Sequence, residues 1–428
     1  MEDRIMENKE ASDALHTLLH CSLKDTEFET QLDQFNIVFD YIIDLENKTN
    51  NVEVVGKRYT RTIGDKRSII LYVHGINIIG GIEKFTYNLG ENLKGHFDIT
   101  LIYEEGSIEQ LKNISKNIKV EKLNSKKLYK ADIIIKNSLA GDPENILGRS
   151  YKHIIHGNLS ELLYGKGIRI IKLWKKASSF ICVSEACERS VKELFPRLKT
   201  EVLYNLLGTK KEYEKKPRED DKIQLLSATR LTQEKGLERI IELSKRFDNC
   251  PGFNYHWKIY TDVYREIDSP NVEICNPKMD VTEDIFNCDY GVQLSSSESF
   301  CYFVNECLDY GVPVIVTKWR GVEKFVNESN GHILEMDLSN LDIEKIKKIP
   351  KGFKYEPIGK PEEWINYLNN IELGDYKYIP LKVTTEFFDK SVDRLRKKKS
   401  IFVTTSERAS ELLELGYVEE IINSYEYV

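Results

Sequence analysis

Short apolar runs alternate with amphipathic stretches between about residues 66 and 375. Most runs are continuously apolar, which is typical of strands covered by helices on both faces of a parallel sheet. Helical spacing predicts helices over Ile82–Leu93, Glu185–Leu194, Leu237–Phe247 and Phe303–Tyr310. The predicted strands are Ser68–His74, Asp98–Tyr103, Asp132–Lys136, Lys152–His156, Ser179–Ser184, Glu201–Tyr204, Lys222–Ala228, His256–Tyr260, Val272–Cys275, Tyr290–Ser295, Pro313–Thr317 and His332–Glu335. This repetition predicts a doubly wound α/β fold.

One polar segment divides the alternating region. Gly208–Lys222 is almost wholly charged or polar, so it cannot contribute to a core and is predicted to be a linker. The chain then contains two Rossmann-like domains, residues 66–207 and 208–374. Two such sheets that face each other form a cleft lined by the carboxyl ends of their strands, where folds of this type bind ligands.

Two further segments flank the paired domains. Residues 1–65 carry apolar side chains at helical spacing, such as Leu32 and Phe35, and are predicted to form a helical N-terminal extension. Residues 375–428 are predicted to form a small α+β C-terminal module. Its basic stretch Arg394–Lys399 fits a solvated turn, or a surface that binds an anionic polymer or a membrane.

The amino-acid composition and net charge exclude several classes of protein. Apolar residues make up 41% of the 428 residues, enough for packed cores, and 62 Lys and Arg against 69 Asp and Glu give a net charge of −7. No overall positive charge recruits nucleic acid, so any anion has to be bound by local groups. The eight cysteines form no C-x-x-C pair, and neither a signal peptide nor a membrane-spanning apolar run is visible. We therefore expect a cytoplasmic protein with reduced thiols.

A pair of glycines follows the first predicted strand and precedes its helix. At such a turn, Gly80 and Gly81 allow backbone N–H groups to approach an oxyanion, and the helix N-terminus adds positive potential. The spacing is not that of a dinucleotide-binding fingerprint. A tight turn with no ligand is the alternative interpretation.

Two cations follow the first strand of the second domain. Arg230 and Lys235 lie in the loop before a helix, beside Gly236. Arg offers a planar fork of donors and Lys offers a mobile point charge, a combination that suits a diphosphate. The alternative is that both are solvated loop residues.

Two carboxylates stand eight positions apart after a later strand. Glu298 lies in the strand-to-helix loop, and Glu306 lies on a helix that is otherwise largely apolar. Each can accept hydrogen bonds from sugar hydroxyls on either side of an anion held by the helix N-terminus. For Glu306 the alternative is an ordinary surface position, although a carboxylate embedded among apolar residues needs a partner.

Taken in order, these segments resemble the retaining GT-B glycosyltransferases of family four, the "glycosyl transferases group 1" type. The resemblance covers roughly residues 68–372. It is carried by the Gly80-Gly81 turn, by the R-L-x-x-x-K-G stretch from Arg230, and by Glu298 and Glu306 ahead of G-V-P-V-I. It implies a GT-B fold of two Rossmann-like domains facing across a cleft.

The resemblance also implies a role for each motif residue. Arg230 and Lys235 would hold the diphosphate of a nucleotide sugar, Glu306 the ribose hydroxyls, and Glu298 would face the transferred sugar. His156 matches the active-site histidine of the family, with a core histidine as the alternative. The remaining implied donor contacts are Gly80, Gly81, Asn205, Phe300, Cys301 and Tyr302. Family members usually carry glycine where this chain has Cys301.

The implied reaction is transfer of a hexose from a nucleotide diphosphate sugar, with UDP as the expected nucleotide, to an acceptor hydroxyl with retention of anomeric configuration. The acceptor class is a glycan, a protein or a wall polymer, and the terminal extensions offer a route to oligomers. No D-x-D loop is present, so we expect neither a metal nor any other cofactor. The alternatives are a sugar-nucleotide epimerase and a catalytically silent GT-B scaffold, although a silent relative is expected to have lost one of the four charged motif residues.

Overall fold

Two parallel β-sheets, each accompanied by helices, form the body of the protein. A computed structural model describes residues 66–77, 79–159, 173–218 and 220–421. The predicted N-terminal helical extension, residues 1–65, lies outside the described residues. Within the described ranges, no helix is both long enough and apolar enough to cross a bilayer.

The first sheet has seven parallel strands. They are β1 (Arg67–Ile76), β2 (Phe97–Gly106), β3 (Lys119–Lys122), β4 (Tyr129–Lys136), β5 (Ile146–Ile155), β6 (Ser179–Cys182) and β7 (Thr200–Val202). Helices α1 (Gly81–Leu93), α2 (Ile108–Ile114) and α3 (Glu185–Leu194) accompany them. The strand order is β3-β2-β1-β4-β5-β6-β7. Leu71 on β1 lies opposite Leu101 on β2 and Ile135 on β4, and all three are buried.

The second sheet has six parallel strands. They are β8 (Ile223–Ala228), β9 (Tyr255–Tyr260), β10 (Val272–Cys275), β11 (Tyr290–Gln293), β12 (Val314–Thr317) and β13 (Gly331–Leu334). Helices α4 (Leu237–Asp248), α5 (Thr282–Asn287), α6 (Tyr302–Asp309) and α7 (Ile343–Ile346) accompany them, and α8 (Pro361–Asn370) follows in the chain. The strand order is β10-β9-β8-β11-β12-β13. In both sheets the order reverses beside the first strand, and a crevice opens at the carboxyl ends of the strands at such a reversal.

The predicted α/β fold of two parallel-sheet domains is confirmed. Each of the strands predicted above is present in the two sheets, and most ends shift by a few residues. Strand β5 begins at Ile146, well before the predicted start at Lys152, and β3 was not predicted. The two domain ranges themselves stay predictions. Helix α8 falls within the second predicted range, yet Trp364 and Leu368 pack into the core beneath the first sheet. The indole N–H of Trp364 donates to the carbonyl of Tyr204 at 2.8 Å, which fixes this crossing.

The polar segment between the sheets runs along the second domain, and its described residues form no helix or strand. Arg218 forms a bidentate ion pair with Asp289 at 2.7 and 2.8 Å. The ring of Tyr213 packs near Phe286 and Tyr310, with centroids 5.9 Å from each. Side-chain contacts therefore hold this segment against the domain that follows it.

The C-terminal module packs on the first domain. It contains β14 (Ile379–Val383), β15 (Phe387–Asp389), β16 (Arg394–Arg396), β17 (Ile401–Thr404), α9 (Ser406–Glu414) and β18 (Val418–Glu420). An antiparallel sheet has the order β17-β14-β18, and β15 pairs with β16 as a separate hairpin. The backbone N–H of Val403 donates to Glu144 at 2.8 Å, and the N–H of Ile401 donates to Ser125 at 2.7 Å. Main-chain bonds as well as apolar contacts thus fix the module in place.

A glycine at the start of α4 sets the course of the preceding loop. Gly236 has φ of 86°, and a Cβ added there would lie 2.0 Å from the carbonyl oxygen of Leu294. Replacing Gly236 by alanine should therefore cost about 1–2 kcal/mol for the left-handed backbone and a further 1–3 kcal/mol for the overlap. Urea denaturation of the variant measures the sum.

Gly252 provides a matched control for this substitution. Its φ is 72°, yet a Cβ there would have no atom within 4 Å, so the G252A variant carries only the backbone cost. Equal losses of unfolding free energy in G236A and G252A would contradict the proposed overlap with Leu294.

Candidate functional site

A cavity of about 1330 Å³ lies between the two domains, at the carboxyl ends of their strands. Residues from both sheets line it. Each residue that the sequence singled out is among them: Gly80, Gly81, His156, Asn205, Arg230, Lys235, Glu298, Phe300, Cys301, Tyr302 and Glu306. The fold therefore brings the predicted residues together in one cleft, while the role of each stays a prediction.

The glycine turn lies between β1 and α1, at the edge of the cavity. Gly80 is the extended residue before the helix, and its carbonyl accepts the N–H of Lys84 at 3.0 Å. A Cβ at Gly81 would have no protein atom within 4 Å. Open space therefore lies beside Gly81 at the N-terminus of α1, where an anion bound at a helix N-terminus would need room.

An ion pair across the cleft joins the two domains. Lys84 on α1 pairs with the carboxylate of Glu306 on α6. Burial raises the pKa of Glu306, and the nearby ammonium of Lys84 opposes that rise. Within the described residues, the other carboxylate oxygen of Glu306 is buried and has no hydrogen-bond partner. The sequence alone does not mark Lys84 as a site residue, because its partner lies in the other domain.

The cations after β8 differ in their surroundings. Arg230 is exposed on the cavity wall. Lys235 is largely buried, and its Nζ lies 2.8 Å from Oε1 of Glu298. Burial would lower the pKa of Lys235, but the charge of Glu298 raises it. Lys235 is therefore a fixed positive charge at neutral pH.

The carboxylate of Glu298 is held by several donors. Its Oε1 accepts hydrogen bonds from Ser295 Oγ at 2.8 Å and from Gln293 Nε2 at 3.2 Å, besides the ammonium of Lys235. All these contacts use one oxygen, so the orientation of Glu298 is fixed while Oε2 stays available to a ligand.

The backbone turn before α6 adopts a conformation that glycine enters freely. Cys301 precedes the helix with φ of 59° and ψ of 82°. Asn305 stabilises the turn, because its Nδ2 donates to the carbonyls of Phe300 at 2.8 Å and Cys301 at 3.1 Å. Burial raises the pKa of the Cys301 thiol well above its usual value, so the thiol is neutral. Cys301, which stands where family members usually have glycine, thus keeps the left-handed backbone conformation that glycine would adopt.

His156 lies just beyond β5, with its ring fixed by a hydrogen-bond chain. Its Nε2 bonds to Oδ1 of Asn137, and Nδ2 of Asn137 donates to Thr86 Oγ1 at 3.0 Å. This assignment makes Nε2 the protonated nitrogen and leaves Nδ1 as an acceptor. The ring of Phe85 packs edge-on at 4.8 Å, and burial lowers the pKa of His156 to about 3. A neutral, oriented imidazole results.

Asn137 orients the site residue His156 and was not predicted from the sequence. It directly follows β4, so it stands at the same edge of the sheet as His156. A polar amide immediately after an apolar strand is the signal that could have identified it.

Loops of the two domains also touch beside the cavity. Nδ2 of Asn158 donates to Ser297 Oγ and to the carbonyl of Glu298, both at 3.2 Å. The hydroxyl of Ser299 donates to the carbonyl of His156. These bonds place the histidine side of the cleft against the carboxylate side.

Two buried amide oxygens add to the unmet acceptors in this cleft. In the part of the chain that the structure describes, Oδ1 of Asn205 and Oε1 of Gln293 have no hydrogen-bond partner, as is also true of one oxygen of Glu306. Leaving a buried acceptor unpaired costs about 1–3 kcal/mol. A ligand rich in hydroxyl groups would relieve this cost.

Comparisons with known proteins bear on the fold. No protein-family model matches the sequence, and no curated protein matches it significantly. Among solved structures, HepE from Anabaena in complex with UDP and glucose has a TM-score of 0.51 at 15% identity, covering 70% of this chain and 95% of that one. TarM has a TM-score of 0.54 at 10% identity, covering 72% of this chain and 99% of that one.

A second structure of TarM matches comparably. It is a mutant of the S. aureus protein in complex with fondaparinux, α-GlcNAc-glycerol and UDP, with a TM-score of 0.50 at 12% identity, covering 71% of this chain and 100% of that one. At such identities the likeness is one of fold. The chain therefore has the GT-B fold, with two α/β domains facing each other across a cleft as in HepE and TarM.

Proposed function

We propose that this protein is a glycosyltransferase that moves a hexose from a nucleotide diphosphate sugar to an acceptor hydroxyl. The observation that carries the proposal is the combination, in one cleft, of two cations with buried acceptors that lack partners among the described residues. Lys235 and Arg230 match the charge of a diphosphate, while Glu306 and Glu298 match the hydroxyls of a ribose and a hexose on either side.

UDP is the nucleotide that the neighbours favour. HepE was solved with UDP-glucose and with UDP and glucose, and TarM was solved with UDP. We extend this to the present chain as part of the proposal, with a glycan, a protein or a wall polymer as the acceptor. Action in the cytoplasm and assembly through the terminal segments belong to the same proposal.

The chemistry follows from where charge develops. As the bond from the anomeric carbon to the diphosphate breaks, negative charge accumulates on the leaving phosphate, and Arg230 and Lys235 stabilise it. Removing one preorganised donor of this kind typically costs about 2.7–4 kcal/mol of transition-state stabilisation. The acceptor oxygen forms the new bond on the same face, and its proton passes to the leaving phosphate, so configuration is retained. No protein nucleophile and no metal enter this scheme.

The neutral imidazole of His156 suits a role in orientation. With Nε2 bonded to Asn137, Nδ1 is left to accept a hydrogen bond from a sugar hydroxyl. Its lowered pKa argues against a role as proton donor near neutral pH. Contacts across the cleft, such as that between Asn158 and Ser297, help to exclude water that would hydrolyse the donor.

Two other functions of the same fold compete with this proposal. A sugar-nucleotide epimerase would use the donor site but needs an acid–base pair, which the neutral His156 does not provide. A silent scaffold would not need an intact set of charged residues, whereas Arg230, Lys235, Glu298 and Glu306 all line the cavity. These observations favour the transferase.

Loss of either cation should impair the donor site. Arg230→Ala and Lys235→Ala should each weaken UDP binding and lower turnover at least tenfold, toward the roughly 10²- to 10³-fold typical of a lost preorganised donor. Calorimetric titration with UDP and a radiolabelled sugar-transfer assay measure the two effects.

Matched controls lie outside the cleft. Lys245→Ala removes an exposed cation from α4, and Arg265→Ala removes one from an exposed loop. Both should behave as the wild type. Normal UDP affinity in R230A and K235A, with unfolding temperatures equal to that of the wild type, would refute the diphosphate assignment.

Transfer should not require a divalent cation, because Arg230 and Lys235 supply the positive charge at the diphosphate. We expect excess EDTA to leave the initial rate within about twofold of the untreated rate, since protein cations take the place of a metal ion. Activity that disappears with EDTA and returns only with Mn²⁺ or Mg²⁺ would overturn this part of the proposal.

The ion pair of Lys84 and Glu306 predicts a pH effect. Lys84→Met removes the cation that keeps the raised pKa of Glu306 in check, so the carboxyl becomes protonated as pH falls and loses an acceptor. Relative to wild type, UDP affinity of K84M should drop about threefold or more between about pH 8 and pH 6, since one pKa unit corresponds to a tenfold change.

The terminal phosphate of UDP also titrates in this pH range. Because it does so equally for both proteins, the ratio of the K84M affinity to the wild-type affinity at each pH cancels its effect. Lys84→Arg retains the charge and should follow the wild-type profile. An affinity ratio of K84M to wild type that is constant with pH would show that Lys84 does not control the ionisation of Glu306.

A further inference from the structure

A hairpin of the C-terminal module carries apolar side chains on its outer side. Phe388 on β15 pairs directly with Leu395 on β16, so their side chains share one face. Phe388 is 55% exposed, Leu395 48% and Val392, in the connecting turn, 49%. Three of the large hydrophobic residues most exposed in the described chain thus belong to a stretch of eight positions.

The opposite side of this hairpin is firmly anchored. Phe387 stacks on Tyr417 with ring centroids 5.0 Å apart. Asp389 is buried and accepts hydrogen bonds from Arg396 at 3.3 Å and Arg408 at 2.8 Å. Arg396 also pairs with Glu144 of the first domain at 2.6 Å. The exposed apolar face is therefore held in a fixed orientation.

Lysines without an ion pair among the described residues lie in the turn of this hairpin and directly after its second strand. Lys390, Lys397, Lys398 and Lys399 are exposed, and none forms an ion pair with a described residue. Residues 386–399 contain six Lys or Arg and three Asp or Glu, a net charge of +3 in a chain whose total is −7. A local excess of positive charge is thus displayed on an acidic protein.

We propose that the hairpin of residues 386–399 docks the protein on an anionic lipid bilayer. Lysines alone would suit any polyanion, but the exposed Phe388, Val392 and Leu395 gain only where an apolar phase lies beside the negative charge. A second copy of this chain would be an unfavourable partner, since the same positive charges would face each other. The inference does not depend on the proposed transferase activity.

The expected binding is reversible and dependent on both lipid charge and salt. Each lysine near an anionic bilayer contributes roughly a fivefold gain in partitioning, and the effect decays within a Debye length. Glu386 and Asp393 are exposed on the same hairpin and partly oppose the attraction to an anionic bilayer. Neutral vesicles should bind poorly, because they offer the lysines no negative surface potential. The apolar side chains add shallow insertion without spanning the bilayer.

Co-sedimentation of the full chain with vesicles tests this inference. We expect the protein to pellet with vesicles of phosphatidylcholine and phosphatidylglycerol, and at least about tenfold less with phosphatidylcholine alone. Replacing Lys397, Lys398 and Lys399 by Gln should reduce the partition coefficient at least about tenfold, and F388S/L395S should reduce it several-fold.

Control variants remove the same kinds of side chain from exposed positions outside the hairpin. Gln at Lys348, Lys351 and Lys354 removes the same charge from exposed sites elsewhere, and Tyr264→Ser removes an exposed aromatic ring. Both should bind vesicles as the wild type does. Equal pelleting of all variants, or no pelleting of the wild type on anionic vesicles, would overturn the proposal.

Two other outcomes would also overturn it. If the Gln triple variant loses binding to a soluble polyanion such as dextran sulfate while F388S/L395S keeps full vesicle binding, the surface recognises charge alone. If both hairpin variants instead convert a dimer to a monomer in light scattering, the occupant is a second copy. UDP titration of the same variants tests the donor site independently. Unchanged UDP affinity would show that a loss of vesicle binding does not come from damage to the cleft.

Discussion

The buried carboxylate of Glu306 is the group on which the arrangement of the cleft depends. Burial raises its pKa, and a buried charge without a partner is strongly destabilising. Lys84 supplies the partner from the other domain, so the same ion pair stabilises the ionised carboxylate and holds α1 next to α6. Closure of the cleft and ionisation of this acceptor are therefore coupled. One oxygen of Glu306 is left for a ligand hydroxyl, within the part of the chain described.

Several residues that the sequence placed in the site share a local property: they lie in the loop that follows the carboxyl end of an apolar strand. Arg230 follows β8, Glu298 follows β11 and His156 follows β5. Because the carboxyl ends of parallel strands lie on one edge of a sheet, a one-dimensional pattern is enough to collect these residues on one side of each domain. The linker between two α/β halves and the resemblance both predict that the two edges face each other, and the cavity between the sheets confirms it. The chemical roles require ligand contacts, which no local pattern supplies.

The features that escaped the sequence depend on contacts between distant elements. The pairing of Lys84 with Glu306 spans both domains, and the bond from Asn137 to His156 joins two strands' ends. Helix α8 has an apolar face, but periodicity does not say which of two cores receives Trp364. Strand β3 lies at a sheet edge and is at most half-buried, so it lacks the continuous apolar run by which the others were predicted.

The distribution of positive charge connects the cleft with the C-terminal module. Because the chain has a net charge of −7, it can attract an anion only where positive side chains cluster. The cations of the cleft and the lysines of the hairpin are two such clusters, and they differ in burial. Lys235 is enclosed with Glu298, where added salt screens little, whereas Lys397–Lys399 are exposed and are screened within about 10 Å at 0.1 M salt. Raising the ionic strength should therefore release the hairpin from a charged surface well before it weakens a diphosphate in the cleft. Docking and donor binding are thus physically separable properties of one molecule.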